Sequence, residues 1–516
     1  MGLSFSRRSI LKRATVAVTW PAIEPILAWG SAVTQSPAVA PPGKYVTAMP
    51  QRPAEASKSV NEKIAAFVAE AKYEDLPAEV IRKAKEQIVF FFGRAFEGSF
   101  SEEAKKMRLV ANRGGLAKGR SRVIGERLRL TPPDAAFANC SLMRGSQRDD
   151  VIWPAGIHAG VVTLPTALAI GEAERVTGRE LLLALVLGYE VLGKLGRAAD
   201  GWEAPLPRRP TNIYGGYGPI TVAGRLLKLD RQHMANALGY AANLGMGIPE
   251  GGMMDHYYSL ISGNATLAAQ LAQSGGAPYS NTTIEGDTGL YRSFFGRVPA
   301  DLPKLIDALG SQWEILTAEQ KRHPGTGQNA IAIELLLELI KKHKLTPDKV
   351  VRIDAVQPSV NDAAARKDAV ASRGPFKRPV EAYSSLPYAL ALMLLFNGSI
   401  GLQWYSDEAT ETVFNDRAVA AAMQKVNLTF EAGHGPRWCR LVVHMADGRK
   451  LVREVENMDF PLPPAVWGEW LQQDGKRLLP LRQLHRLERL ITHLEDVNDV
   501  SALMDAVVPQ NAGSRA

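Results

Sequence analysis

The chain has 516 residues, 46% of them hydrophobic and 22% charged, with a formal net charge of +8 at pH 7. That balance belongs to a soluble globular protein with more than one domain's worth of core, and it excludes a disordered or membrane-embedded chain. Its two cysteines, Cys140 and Cys439, exclude a disulfide framework; the basic excess is interleaved with acids, without zinc-finger spacing or arginine-aromatic runs, which argues against a nucleic-acid partner.

The first segment, "SRRSILKRATVAVTW", sets Arg7 and Arg8 before Ile10, Leu11 and Lys12 and a moderately apolar run that Pro21, Glu24 and Pro25 interrupt. It resembles a twin-arginine export signal, an address read by a receptor, and its apolar run falls short of the roughly 20 residues that span a bilayer. Residues 1–40 are therefore expected to be a removable signal peptide of a periplasmic protein with no stable membrane insertion afterwards, and the proline-rich residues 41–55 a linker.

From Val60 the apolar residues recur at helical spacing: Ile64, Phe67, Val68 and Ala71 share one face, and Pro77 opens the next helix. Further helices are expected at 133–146, 161–175, 178–199, 218–228, 230–246 and 263–274, so residues 56–317 read as an all-helical body. After "KRHPGTGQN" a helix at 328–343 leads into "KVVRIDAVQP", and the β-branched runs "KVNLTFEA", "RLVVHMADG" and "KLVREVE" follow, with Asp447-Gly448 as a hairpin turn. Residues 318–458 thus read as a smaller α+β lid, and 459–510 as a return to the helical domain. The fold class is mainly α, with a cleft between the two parts.

The stretches "YEDLPAEVIRKAKEQI", "HAGVVTLPTALAIGEAERVTGRELLLALVLGYEV", "LISGNATLAAQLAQSGG", "LGSQWEILTAEQKRHPG" and "EAYSSLPYALALMLLFNGSI" resemble the MmgE/PrpD family over roughly residues 60–500. That family includes 2-methylcitrate dehydratase, cis-aconitate decarboxylase and iminodisuccinate epimerase. The resemblance implies a helical domain with an α+β lid, a homodimer, no metal, no organic cofactor, and an active site at the domain junction that takes a small carboxylate.

The family's "NGxxxHxxDFDD" lines up as "NCSLMRGSQRDD", with Arg144 at the histidine, Gln147 at the first aspartate, and Asp149 and Asp150 retained. A carboxylate pair can do acid-base work, because like charges at close range raise one pKa; paired aspartates before an apolar stretch also serve as caps. His158 matches the histidine of the family's "HPS/HPG" segment, and an imidazole titrating near neutrality can take a proton from carbon or protonate a leaving hydroxyl. "RRPT" stands where the family has "GFHPT", giving Arg209, a two-pronged carboxylate binder, at the histidine. Tyr258 stands at the lysine of "KxLxxG", as a phenolic proton donor or a packing residue, and "KRHPG" retains Lys321 and Arg322 and brings His323.

The expected site therefore has His158, Asp149, Asp150 and Tyr258 as catalytic residues, and Arg144, Gln147, Arg209, Lys321, Arg322 and His323 as substrate-binding residues. The expected chemistry is a cofactor-free, dehydratase-like lyase reaction, with proton abstraction beside a carboxylate and β-elimination. An isomerase, an epimerase, a decarboxylase, or a periplasmic small-anion binding protein without catalysis are the alternatives.

Overall fold

The computed structural model describes residues 58–112, 119–199, 210–244, 255–278, 280–359, 370–398, 402–405, 409, 412–414 and 416–509. The twin-arginine segment and the expected linker lie outside the described residues.

Local sequence sets the helix ends. In α1 (Val60–Glu70) Ser59 and Glu62 form a reciprocal capping box. Helix α2 (Ala78–Gly98) starts after Pro77 and is buried along nearly its whole length, with Phe90, Phe91, Phe92 and Phe96 fully enclosed. After α3 (Glu102–Ala111) and the short pair β1 (Ser121–Arg122) and β2 (Arg129–Leu130), α4 (Pro132–Gly145) starts on a Thr131 cap with prolines in its first turn, where their missing N–H groups cost nothing. Helices α5 (Gly160–Glu174) and α6 (Gly178–Ala198) are buried along nearly their whole length, and Thr177 and Glu180 cap the second.

The helical part continues through α7 (Pro210–Tyr214), α8 (Tyr217–Leu226), α9 (Arg231–Ala241), α10 (Asp255–Gln273), α11 (Leu290–Phe295) and α12 (Leu302–Asp307). Helix α10 starts eight positions before the expected 263, at a stretch whose "DHYYS" is too polar to show the apolar period. Strand β3 (Asp150–Ile152) pairs antiparallel with β4 (Ala318–Gln320), so the chain leaves the helical part beside the stretch that holds the two aspartates.

A second core forms beyond this point. Helix α13 (Gly327–His343), capped by Thr326, packs with α15 (Leu386–Leu395) on a four-stranded sheet in the order β6-β5-β7-β8. In that sheet β5 (Val350–Pro358) runs parallel to β6 (Val426–Glu431) and antiparallel to β7 (Cys439–Met445), which pairs with β8 (Lys450–Val455) through the expected turn. Cys439, Leu441, Val443 and Met445 alternate inward along β7, as a sheet with one covered face requires. The small helices α14 (Pro379–Tyr383) and α16 (Arg417–Gln424) frame an aromatic cluster of Phe376, Tyr388, Tyr405 and Phe414. The chain then rejoins the first core through α17 (Trp467–Gly475), α18 (Leu481–Thr492) and α19 (Ser501–Ala506), with Trp470 against Phe90.

Both cysteines are free and buried. Among the described residues no helix is long and apolar enough to cross a membrane.

Candidate active site

Helix α4 ends at Gly145, and Gln147 takes the left-handed conformation (φ 54°) to turn the chain into β3. The turn folds Arg144 back over Asp149: Arg144 Nη1 donates to Asp149 Oδ2 at 2.5 Å. The β3–β4 register sets Gln320 opposite Asp150, so the next residue, Lys321, falls beside Asp149. Its main-chain N–H donates to the Asp149 carbonyl at 3.2 Å and its ammonium to Asp149 Oδ1. A fully buried carboxylate thus holds two cations, which are 5% and 6% exposed.

His158 closes the same cluster. Its main-chain N–H donates to Thr211 Oγ1 on α7 at 2.9 Å, and its Nδ1 lies 2.6 Å from the Asp150 carbonyl oxygen and 3.5 Å from Asp149 Oδ1. A carbonyl oxygen only accepts, so Nδ1 carries the proton and Nε2 the lone pair. Tyr258 on α10 covers the group, with the Arg144 guanidinium 5.0 Å from its ring centre and the His158 ring 6.0 Å away.

Charge states follow from these neighbours. Burial opposes ionisation of Asp149, but Arg144, His158 and Lys321 override it and hold the carboxyl well below its ordinary range. Burial, assisted by Lys321 and Arg144 and opposed by Asp149, pushes His158 down to about 3, so the imidazole is neutral at neutral pH. Burial and the Asp149 charge raise Asp150 to about 7 against the hydrogen bonds from Tyr189 and Gly160. The arrangement offers a neutral imidazole base beside two cations that can meet negative charge developing on a substrate.

Five of the expected site residues therefore converge: Arg144, Asp149, His158, Tyr258 and Lys321. Asp150 adjoins them, and its carboxylate turns inward to the Gly160 N–H (3.0 and 3.2 Å) and the Tyr189 hydroxyl (2.7 Å), at the start of α5. Gln147 is 2% exposed, and its carbonyl accepts from the Gly325 N–H at 3.4 Å. Arg322 and His323 are directed elsewhere: the Arg322 guanidinium donates to the Pro461 carbonyl at 3.0 Å and lies over Phe460, and His323 Nε2 pairs with Glu334 at 2.8 Å. The match of "KRHPG" to the family segment suggested them, but the chain bends at 322–325 and turns both away from Lys321. Arg209 lies outside the described residues.

Sequence reading missed Tyr189 and Arg148. Tyr189 lies within a stretch quoted for the family resemblance, but no site motif marks it there. Arg148 pairs with Glu97 and donates to the Arg322 carbonyl at 2.8 Å, tying the aspartate loop to the segment that carries Lys321. Among the described residues no group of three His, Cys, Asp or Glu side chains is arranged to hold a metal ion.

The model of the MmgE/PrpD N-terminal domain matches residues 62–302, and that of the MmgE/PrpD C-terminal domain matches residues 323–461. The chain belongs to the MmgE/PrpD family. Its relatives include the cis-aconitate decarboxylase-like protein oryM of Aspergillus oryzae, 25% identical over 86% of this chain and 96% of that one. The cis-aconitate decarboxylase of Homo sapiens is 25% identical over 86% of this chain and 94% of its own. That of Mus musculus is 23% identical over 86% and 93%. Against the MmgE/PrpD motif quoted above, Arg148 stands where the pattern has phenylalanine, so a charged side chain enters the core behind the site. Together Arg144, Gln147, Arg148 and Tyr258 recast the family motif around the retained Asp149, Asp150 and His158.

Proposed function

We propose that the protein is a lyase that acts on a small carboxylate, needs neither metal nor organic cofactor, and begins by taking a proton from the carbon next to a carboxylate. The observation that carries this reading is His158, with its Nδ1 2.6 Å from the Asp150 carbonyl oxygen, clustered with Arg144 and Lys321 around Asp149. Nε2 accepts the proton, the C–H electrons move toward the carboxylate, and the two cations stabilise the enolate-like charge. The electrons then form the C=C bond as the β-substituent leaves, taking back the proton from the imidazolium when it leaves as water.

A second reading, decarboxylation, is favoured by the names of the relatives. One experiment separates the outcomes. The purified protein is screened by thermal shift and then by NMR against cis-aconitate and a panel of di- and tricarboxylates. Loss of water from a hydroxy acid supports elimination, and a product one carbon shorter supports decarboxylation. Deuterium uptake without change of composition indicates an isomerase or epimerase, and stabilisation without turnover indicates a binding protein. Full turnover by His158→Ala would remove the assigned base.

We further propose export to the periplasm through Arg7 and Arg8; replacing both with lysine is expected to leave the full-length chain in the cytoplasm. A homodimer is supported by α10, whose Leu260, Leu267 and Leu271 share one face and are 43%, 57% and 47% exposed. Leu267→Glu is expected to halve the mass measured by light scattering.

A further inference from the structure

We propose that Tyr189 is a positioning residue for His158, acting through Asp150. Tyr189 is fully buried on α6, and its hydroxyl donates to Asp150 Oδ2 at 2.7 Å. The same carboxylate accepts the Gly160 N–H at the start of α5. Position 160 has to be glycine for this approach: a Cβ there would stand 2.2 Å from the Tyr189 hydroxyl and 2.1 Å from the Phe91 ring.

With its carboxylate held from two sides, Asp150 has its main-chain carbonyl fixed at 2.6 Å from His158 Nδ1. That contact sets the tautomer. Both acceptors near Nδ1, the Asp150 carbonyl and Asp149 Oδ1, bind a proton on Nδ1 and none can donate to it, which keeps the lone pair on Nε2. Removing the Tyr189 hydroxyl takes one donor from a carboxylate that stays buried. The side chain then settles toward other partners, the peptide turns with it, and the ring loses the acceptor that fixes it. Tyr189 thereby controls which imidazole nitrogen is available for chemistry without touching the substrate.

This inference rests on the reading of His158 as the base, yet its test needs no substrate. The full chain is labelled with ¹⁵N-histidine, and the His158 signals are assigned by their loss in His158→Gln. The wild type is expected to show the Nδ1–H tautomer with a downfield, slowly exchanging ring proton. Tyr189→Phe is expected to lose that protected proton and to gain the Nε2–H tautomer. Asp150→Ala should do the same, while Asp150→Asn, whose amide oxygen accepts from the Gly160 N–H and whose NH2 donates to the Tyr189 hydroxyl oxygen, should keep the wild-type signal. A role confined to packing would lower Tm in Tyr189→Phe and leave the His158 spectrum unchanged, and that result overturns the proposal. If Tyr189→Phe does not fold, the Asp150 pair decides: equal spectra for the Ala and Asn variants overturn it. Full turnover by His158→Ala would instead overturn the base assignment while leaving the tautomer result standing.

Discussion

The stretch from Arg144 to Asp150 feeds two buried charge clusters that differ in composition. At the back, Arg148 joins Arg94, Glu97 and Asp474, two cations against two carboxylates, with Arg94 fully enclosed. At the front, Arg144 and Lys321 both reach the carboxylate of Asp149, beside His158, and the Asp150 carboxyl is turned away to Tyr189. The back cluster joins α2 and α17 to the loop; the front one gathers α4, β3 and the segment after β4 around one buried carboxylate. The back cluster fixes geometry, whereas the front one sets two cations beside a histidine.

Substitutions can break that contrast, the strongest first. His158→Ala should lower turnover by about 10²- to 10⁴-fold, the usual contribution of a general base, while thermal-shift stabilisation by the same carboxylate persists. Loss of both together would mean that His158 serves binding rather than proton transfer. Asp149→Ala should destabilise by about 3–5 kcal/mol in denaturant titration, because it takes from Arg144 and Lys321 the buried carboxylate that both reach. Added carboxylate should recover part of that loss by replacing the missing charge. Arg148→Met should cost about 2 kcal/mol, less because Arg94 still pairs with Glu97. It should not be rescued by carboxylate, since the back cluster has no anion to accept.

The sequence foretold the elements that local chemistry decides. Thr131 with Pro132 and Pro133 announces α4, and Asp447-Gly448 announces the hairpin, where Gly448 has φ 86°. Partners distant in the chain were not legible. Arg148 meets Asp474 on a helix from the far end, Tyr189 reads as one more buried residue of α6, and β3 and β4 are too short to show a strand period. The parallel placement of β6 beside β5 depends on α14 to α16 filling the crossover rather than on the strands' own pattern. At the site, the family resemblance supplied the residues, while their roles depended on orientation: Asp149 and Asp150 are adjacent, but one faces two cations and the other a tyrosine.

That pair, together with His158, gives the smallest and most discriminating prediction. Asp150, ordinarily titrating near 3.8, is raised to about 7 in the folded protein, so between these values the folded state holds the extra proton and stability falls as pH rises. His158, ordinarily near 6.5, is lowered to about 3, so between these values the unfolded state holds the extra proton and stability rises with pH. The windows overlap from roughly pH 4 to 6.5, where the two slopes, each at most about 1.4 kcal/mol per pH unit, oppose one another. Asp150→Asn removes the falling component, so its stability relative to wild type should climb with pH across that window. His158→Asn removes the rising one, and its relative stability should decline. Urea titrations at half-unit steps measure both differences, with the remaining carboxylates contributing alike to all three proteins. Parallel curves for His158→Asn and wild type would mean that the imidazole titrates alike in the folded and unfolded chain, and burial among Arg144, Lys321 and Asp149 would then not be what keeps its proton off.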